Sequence, residues 1–272
     1  NYEGDKVDFV VGLFGFKQRI DTQGTEQQGA DASKWSLTGA LADQPAVLEG
    51  LTATNTQYLK STSAALFGQL SWKVTDALTI QPGARVNYDK KSGFYQRIVT
   101  NGAGQVINCT PAPNTTLPAV LAAQCGVYQP QESAPSDSAW NFTYDFNVNY
   151  KVAPDILAYA TYAKSFKTLG INQNGLPLNA DNTPNLDAST VQPESVNHYE
   201  IGLKTQFLDR RATFNLSAFR TEIKNFQATV NGGQFGTVRG YLANAEKVRS
   251  QGIEADFKIV ASDRFTAYAN GA

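Results

Sequence analysis

Apolar and polar residues take turns along much of this chain. From Ala139 to Val152, the residues Trp140, Phe142, Tyr144, Phe146, Val148, Tyr150 and Val152 interleave with Asn141, Thr143, Asp145, Asn147, Asn149 and Lys151. A helix would mix the two sets on every face. A strand projects successive side chains to opposite sides, so it gathers all the apolar groups on one face and all the polar groups on the other. The same alternation runs through Leu78, Ile80, Ala84, Val86 and Tyr88, and through Tyr199, Ile201, Leu203 and Phe207. Weaker copies are Ala64, Leu66, Leu70 and Trp72; Phe214, Leu216 and Ala218; and Ile253, Ala255, Phe257 and Ile259. Val7 to Arg19 and Ile156 to Lys167 are apolar on both sides, which leaves their facing open. Pro82 has no amide proton to give to a ladder and predicts a local irregularity.

Nine strands are therefore predicted, near 7–19, 59–74, 78–90, 137–152, 156–167, 196–208, 212–228, 241–259 and 264–272. Short connections (Thr75-Asp76-Ala77, Ala153-Pro154-Asp155, Asp209-Arg210-Arg211 and 260–263) alternate with long ones of about 39, 46, 28 and 12 residues, as the strand and turn signals place them. A soluble β domain with Trp140 and Tyr150 in its core gives no reason to gather the long loops at one end. An outer-membrane barrel does, with tight turns on one side and long loops on the other. Strands of roughly 12 to 19 residues also exceed the globular mode of about 5 to 6 and the 9 to 11 or so that cross a bilayer with tilt. Trp140 and Tyr150 lie roughly 33 Å apart along a strand, or about 23 Å along the membrane normal, the spacing of two interfacial aromatic girdles. The expected fold is all-β, an antiparallel meander of about nine long strands forming part of a transmembrane β-barrel.

Composition narrows the function. The 272 residues carry 23 Lys and Arg against 24 Asp and Glu, so no whole-chain field gathers phosphate backbones, and no nucleic-acid partner is expected. The longest apolar runs, such as Phe9 to Phe16, stop at about eight residues where a spanning helix needs about 20. The chain starts at Asn1 without a leader and stops inside a strand, which reads as an internal piece of something longer. Cys109 and Cys125 lie in a Pro/Asn/Thr-rich stretch without a CxxC or Cys/His cluster, and read as a loop disulfide in place of a metal site.

Five ordered segments carry a resemblance: Ala65 to Gln69, Gly83 to Arg85, Tyr159 to Asn172 (YATYAKSFKTLGIN), Pro193 to Lys204 (PESVNHYEIGLK) and Asn244 to Phe257 (NAEKVRSQGIEADF). With the turns between them, the chain resembles the barrel part of a TonB-dependent receptor. The resemblance implies a barrel of roughly 22 strands with a plugged lumen. It implies import of scarce nutrients, most often ferric siderophores, with energy relayed by TonB. It makes residues 1–272 a partial barrel domain that departs from the full pattern in lacking the plug, the TonB box and the C-terminal strands. The implied partners are outer-membrane lipid, the nutrient ligand, and TonB and the plug through the rest of a parent chain.

The search for chemistry is otherwise sparse. The one histidine, His198, shares the polar face with Glu200 and Lys204; no serine or cysteine motif points at it, so it reads as a lumen-facing side chain and not a catalyst. Arg85 and Asp145 fall on the same lumen-facing side. No nucleotide-binding glycine motif is present and no cofactor is expected. Asp181, Asn185 and Asp187 offer oxygens at a spacing that fits no calcium loop. The candidate ligand residues are Phe94, Tyr95 and Arg97 above the third strand, Tyr128 beyond the second cysteine, and Lys164, Phe166 and Lys167 at the top of the fifth. Aromatic faces beside cations suit an anionic or catecholate-type iron complex. The competing role for these residues is anchoring at the outer interface. The rival classes are a passive porin or structural barrel, and an outer-membrane hydrolase.

Overall fold

The computed structural model describes residues 1–110, 113–173, 176–232 and 239–272. Among them the chain forms β1 (Tyr2–Glu3), β2 (Val7–Gln27), β3 (Thr52–Lys73), β4 (Leu78–Thr100), β5 (Gln131–Ser133), β6 (Ser136–Ala153), β7 (Ile156–Lys167), β8 (Gly170–Ile171), β9 (Thr190–Val191), β10 (Glu194–Phe207), β11 (Ala212–Gly232), β12 (Arg239–Ser262) and β13 (Phe265–Gly271). Two short helices, α1 (Ala32–Ser36) and α2 (Ala119–Val127), lie in the long connections. No described helix is long and apolar enough to cross a membrane.

One sheet carries the fold, in the order β1-β2-β3-β4-β6-β7-β10-β11-β12-β13, with β5 also on β4 and β8-β9 as a separate ribbon. Each long strand is antiparallel to the strand before it in this path, and the first does not pair with the last, so the sheet is open. The all-β meander read from the alternation is what the structure shows. Its two faces differ in chemistry. Register places Leu13 opposite Leu66, Leu66 opposite Val86 and Val86 opposite Phe142 on one face, and Ile201 opposite Ala218 and Ala218 opposite Ile253 further along it. These side chains are bare: Leu13 is 84% exposed, Trp140 72%, Ile253 64% and Ile201 63%. A face this long and this apolar has no stable contact with water.

The opposite face is polar and hydrogen-bonded. Thr161 Oγ1 donates to Asn147 Oδ1 at 2.5 Å, Asn149 Nδ2 to Gln81 Oε1 at 3.4 Å, and Asn215 Nδ2 to Asp256 Oδ1 at 2.9 Å. The strands whose facing was open now divide. In β2, Val11 and Leu13 sit on the apolar face, while Phe14 turns to the polar face and lies with Phe67 under the Arg85 guanidinium, 5.1 and 5.6 Å from the two ring centres. Gly12 leaves room for this, because a Cβ there would come within 2.4 Å of the Phe67 ring. In β7, Tyr162 lies on the apolar face and Tyr159 on the polar one.

Pro82 stays within β4 and pairs with Phe146 of β6. Toward β3 the ladder opens, running from Gln69↔Gly83 to Trp72↔Ile80 with the register unchanged. The missing amide proton thus interrupts one flank of the strand only. At the tight-turn end, Leu208, Asp209 and Arg210 all have positive φ (55°, 54° and 64°), and Arg210 Nε reaches across to Asp155 Oδ1 of the neighbouring turn at 3.2 Å.

At the long-loop end the strands run further than the alternation predicts. β2 continues to Gln27, β3 starts at Thr52, β4 reaches Thr100, and β11 and β12 extend to Gly232 and from Arg239. The extensions of β2 and β3 are rich in Thr, Gln and Asn because their outer face no longer meets an apolar medium, so the period-two contrast disappears while the backbone ladder goes on, and β4 turns Val99 into the connections packed above it. The loops are correspondingly shorter than the sequence suggests.

The main buried apolar cluster lies here, between the long-loop ends of β3 and β4 and the connections that cover them. Leu48 and Leu51 from the β2–β3 connection meet Val99 of β4, all at 0% exposure, and Cys109, Cys125 and Tyr128 close the cluster. Cys109 and Cys125 are joined as a disulfide with their Cα atoms 5.9 Å apart. Within the stretch that reads as loop around them, Ala119–Val127 forms α2. The two connections touch through backbone: Gly50 has φ +74°, and a Cβ on Gly102 would come within 2.4 Å of the Glu49 carbonyl oxygen. Larger residues at these two glycines would pry the connections apart.

Two outcomes follow for the barrel that contains these strands. Phe146→Arg, which puts a charge on the apolar face, is expected to cost about 2 to 4 kcal/mol, while Asn147→Arg on the polar face is tolerated. Equal loss of heat-modifiable folded protein for the two would show the facing to be wrong. Replacing Cys109 and Cys125 by Ala is expected to remove up to roughly 3 kcal/mol of loop stability and leave the strands intact. Proteolytic nicking within 101–135, with unchanged melting of the barrel, would be the signature.

Candidate functional site

The extended ends of β3 and β4 bring the sequence-predicted residues to one rim, but not to one face. Tyr95 and Arg97 alternate inward with Asn87 and Asp89, and are almost fully enclosed, at 1% and 8% exposure. Asn55 of β3 ties them: its Oδ1 accepts from Tyr95 Oη and from Arg97 Nε, each at 2.8 Å, and its Nδ2 donates to Glu26 Oε1 at 3.2 Å. The Arg97 guanidinium lies 5.8 Å from the Tyr95 ring centre and 5.9 Å from that of Tyr128, and Tyr128 Oη accepts from Gln28 Nε2 at 2.7 Å. Tyr95, Arg97 and Tyr128, three of the candidate ligand residues, are therefore brought together in one cluster. That cluster is packed beneath the connections and presents little surface to a solute.

Lys167 lies on the same polar side, where its Nζ sits 3.1 Å from Glu194 Oε1. Glu194 is buried and also accepts the Gln227 backbone N–H at 2.8 Å. Phe94, Lys164 and Phe166 go to the other face. Phe94 stacks on Tyr58 with ring centres 5.9 Å apart, Lys164 lies 6.0 Å from the Tyr144 ring, and Phe166 follows Lys164 by two positions in an unbroken strand. The candidate set is thus split by the sheet, because a loop-end position read without its register has no facing.

The residues read as lumen-facing lie together on the polar face of the sheet and form a wall. Tyr159 Oη donates to Glu200 Oε1 at 2.6 Å, His198 Nε2 lies 3.2 Å from Glu200 Oε2, and His198 Nδ1 lies 2.9 Å from Thr221 Oγ1. The Lys204 ammonium sits 5.4 Å from the Tyr159 ring centre. Arg85 Nε donates to Asn87 Oδ1 at 2.7 Å, and a cleft of about 320 Å³ opens between Phe67, Arg85, Thr143, Asp145 and Ser165. Both imidazole nitrogens of His198 face hydrogen-bonding partners, and neither partner is an activated nucleophile.

Among the described residues no group of three or more His, Cys, Asp and Glu side chains is placed to hold a metal ion. Asp181 Oδ1 accepts from the hydroxyl of Thr183 at 2.6 Å and from its N–H at 3.1 Å, which holds this carboxyl below its ordinary pKa. Asn185 Oδ1 accepts from the Asp187 N–H at 3.1 Å. Two of the three oxygen-bearing residues thus direct side-chain oxygens into local turns.

What sequence reasoning missed is the set of amides that bind the loops to one another. Gln124 Nε2 donates to the Val47 carbonyl at 2.9 Å, Gln129 Nε2 to the Asn182 carbonyl at 3.1 Å, and Asn182 Nδ2 to the Cys109 carbonyl at 3.2 Å. Asn172 exchanges two bonds with Leu242, N–H to Oδ1 and Nδ2 to carbonyl, both 2.8 Å. Gln173 Nε2 reaches the Phe94 carbonyl at 3.1 Å and also that of Tyr58. No periodicity or spacing marks these residues among the many other polar loop positions. Asn55→Ala, which strips the acceptor from both Tyr95 and buried Arg97, is expected to cost about 1 to 3 kcal/mol locally. Faster amide exchange at 95–99 and around Tyr128, with the β6–β7 hairpin unaffected, is the check.

Comparison with known proteins places this architecture. Residues 2–272 match the family model described as TonB dependent receptor-like, beta-barrel. A probable TonB-dependent siderophore receptor, PiuA of Acinetobacter baumannii, is 28% identical over 98 residues, which are 35% of this chain and 13% of that protein. The ferric yersiniabactin uptake receptor FyuA of Yersinia pestis superposes on 99% of this chain and 32% of its own, with a TM-score of 0.64 at 17% identity. The crystal structure of the siderophore receptor PiuA from Acinetobacter baumannii covers 99% of this chain and 36% of its own, with a TM-score of 0.54 at 17% identity. The chain thus spans about a third of the length of these solved structures. With an antiparallel meander bare on one face, wet on the other and matched from Tyr2 to Ala272, the chain belongs to the TonB-dependent receptor family, as a stretch of its β-barrel.

Proposed function

We propose that this chain is part of the barrel wall and extracellular mouth of an outer-membrane receptor in a Gram-negative bacterium. Its parent protein would take up a ferric siderophore or another large nutrient with energy from TonB. The observation that carries the reading is the family match across residues 2–272. The relatives support it by what they are: PiuA is a siderophore receptor and FyuA a ferric yersiniabactin uptake receptor. The geometry supports it as well, since three long connections are bonded into one cap at a single rim, where a bulky solute would first meet the protein.

In this reading the candidate residues have separate duties. Lys167 and the polar wall face the solute path, together with a plug that the rest of the parent chain would supply. Tyr95, Arg97 and Tyr128 hold the cap in shape. Phe94, Lys164 and Phe166 belong to the membrane interface.

The test is growth of a strain deleted for the parent gene on a panel of ferric catecholates, ferric hydroxamates, vitamins and glycans, with and without TonB. Rescue by the parent gene on one iron complex, abolished in the absence of TonB, is the expected result. Rescue on a glycan or vitamin alone removes iron from the proposal, and uptake that persists without TonB returns the chain to the passive porin class.

A further inference from the structure

The sequence holds four Asn–Gly pairs, at 101–102, 174–175, 231–232 and 270–271. In such a pair the glycine amide nitrogen can attack the asparagine side-chain carbonyl carbon, because the following residue carries no side chain to obstruct it. Asn174–Gly175 lies outside the described residues. Asn231–Gly232 and Asn270–Gly271 lie in paired strands, with Gly232 opposite Arg239 and Gly271 opposite Ala255. Asn101–Gly102 is placed differently: it opens the turn that follows β4, and Gly102, Ala103, Gly104 and Gln105 are all exposed.

The turn holds the Asn101 carboxamide by both of its polar atoms. Oδ1 accepts from the backbone N–H of Ala103 at 3.1 Å and of Gln105 at 2.9 Å, and Nδ2 donates to Gln105 Oε1 at 3.1 Å. The main chain closes around it, Asn101 N–H to the Gln105 carbonyl and Gly104 N–H to the Asn101 carbonyl, each at 2.9 Å, with Gly104 at φ +78°. The N–H of Gly102 has no hydrogen-bond partner among the described residues.

Backbone donors converging on one carbonyl oxygen are the arrangement that stabilises an oxyanion. When the Gly102 nitrogen adds to Asn101 Cγ, negative charge develops on Oδ1, where the Ala103 and Gln105 amides already point. The nucleophile gives up no hydrogen bond to react. The same bonds would protect Asn101 if they held its carbonyl carbon away from the nitrogen, and the experiment below separates the two effects.

We propose that Asn101–Gly102 is a self-modifying site: the fold accelerates conversion of Asn101 to aspartate and isoaspartate, and the isoaspartate form loosens the cap. In the first step the bond from Gly102 N to Cγ forms, the Cγ–Nδ2 bond breaks, and the Gly102 amide proton passes through water to Nδ2, which leaves as ammonia. Water then opens the cyclic imide. Cleavage between Gly102 N and Cγ gives aspartate, and cleavage between Gly102 N and the Asn101 main-chain carbonyl carbon gives isoaspartate; the hydroxyl of the water stays on the new carboxyl and a proton returns to Gly102 N. No other reagent is consumed. Isoaspartate runs the main chain through Cβ and lengthens it by a methylene just before Gly102. There is no slack at that point: a Cβ on Gly50 would come within 2.9 Å of the Gly102 Cα, and a Cβ on Gly102 would overlap the Glu49 carbonyl oxygen. The longer chain forces the β2–β3 connection and this turn apart.

The experiment ages the full parent receptor, folded in detergent and unfolded in urea, in heavy-oxygen water at neutral pH. Peptide mass spectrometry reads the heavy oxygen gained at Asn101, Asn231 and Asn270, and labelling by isoaspartyl methyltransferase reads the isoaspartate share. In enzymes one oxyanion donor is worth roughly a hundredfold or more, so the folded receptor is expected to convert Asn101 at least about tenfold faster than Asn231 or Asn270. It should also convert Asn101 no more slowly than the unfolded chain, in which the three sites react alike. Aged receptor is expected to be nicked within 101–135 in proportion to its isoaspartate content, and treatment with the methyltransferase and S-adenosylmethionine, which returns isoaspartate to aspartate, should restore resistance. Folded Asn101 converting at the rate of the other two, or more slowly than in urea, would overturn the site. Nicking that does not follow the isoaspartate content, or that repair leaves unchanged, would overturn its effect on the cap.

Discussion

A backbone N–H or C=O exposed to hydrocarbon has no partner unless the chain supplies one, and that requirement organises everything else in this protein. It forces long strands into continuous antiparallel ladders, since a loop within the band would leave its polar groups bare. It also divides the side chains, because a ladder in such a place has lipid on one face and water or protein on the other. The alternation of Trp140, Phe142 and Phe146 with Asn141, Thr143 and Asn147 is the written form of that division. Where the ladder is weakened, as beside Pro82, the break is confined to one flank and the register continues past it.

This explains how much could be read from residues alone. Strand number, order and facing were legible wherever the two media differ, because each position there has one acceptable polarity. The upper ends of β2, β3 and β4 were not, since Thr, Gln and Ser suit both sides of a strand that has left the membrane. β2 and β7 resisted for the opposite reason. Phe14 and Tyr159 are large and partly apolar yet face the polar side, where they meet the charged groups of Arg85 and Glu200. The candidate site suffered most: Phe94 and Tyr95 are adjacent in sequence and sit on opposite faces, and a guess about the rim that lacks register takes both.

The bare face and the capped rim also place stability differently. In the sheet, apolar surface is left for lipid to cover, and the protein's own contribution is hydrogen bonding with cross-strand pairing. In the cap, Leu48, Leu51 and Val99 are fully enclosed, as they would be in a small soluble domain. The disulfide and the glycine contact between residues 50 and 102 belong to that second regime, so changes there act on the cap while the strands below retain their pairing.

The bonds between loops have a further consequence. Gln28 with Tyr128, Gln129 with Asn182, and Asn172 with Leu242 of β12 join segments far apart in sequence into one connected series. Opening any one loop requires breaking its ties to the next, so the cap has few partly open states and behaves as a single cooperative unit. The stability of the rim above these strands then depends on the whole series of bonds more than on any one connection.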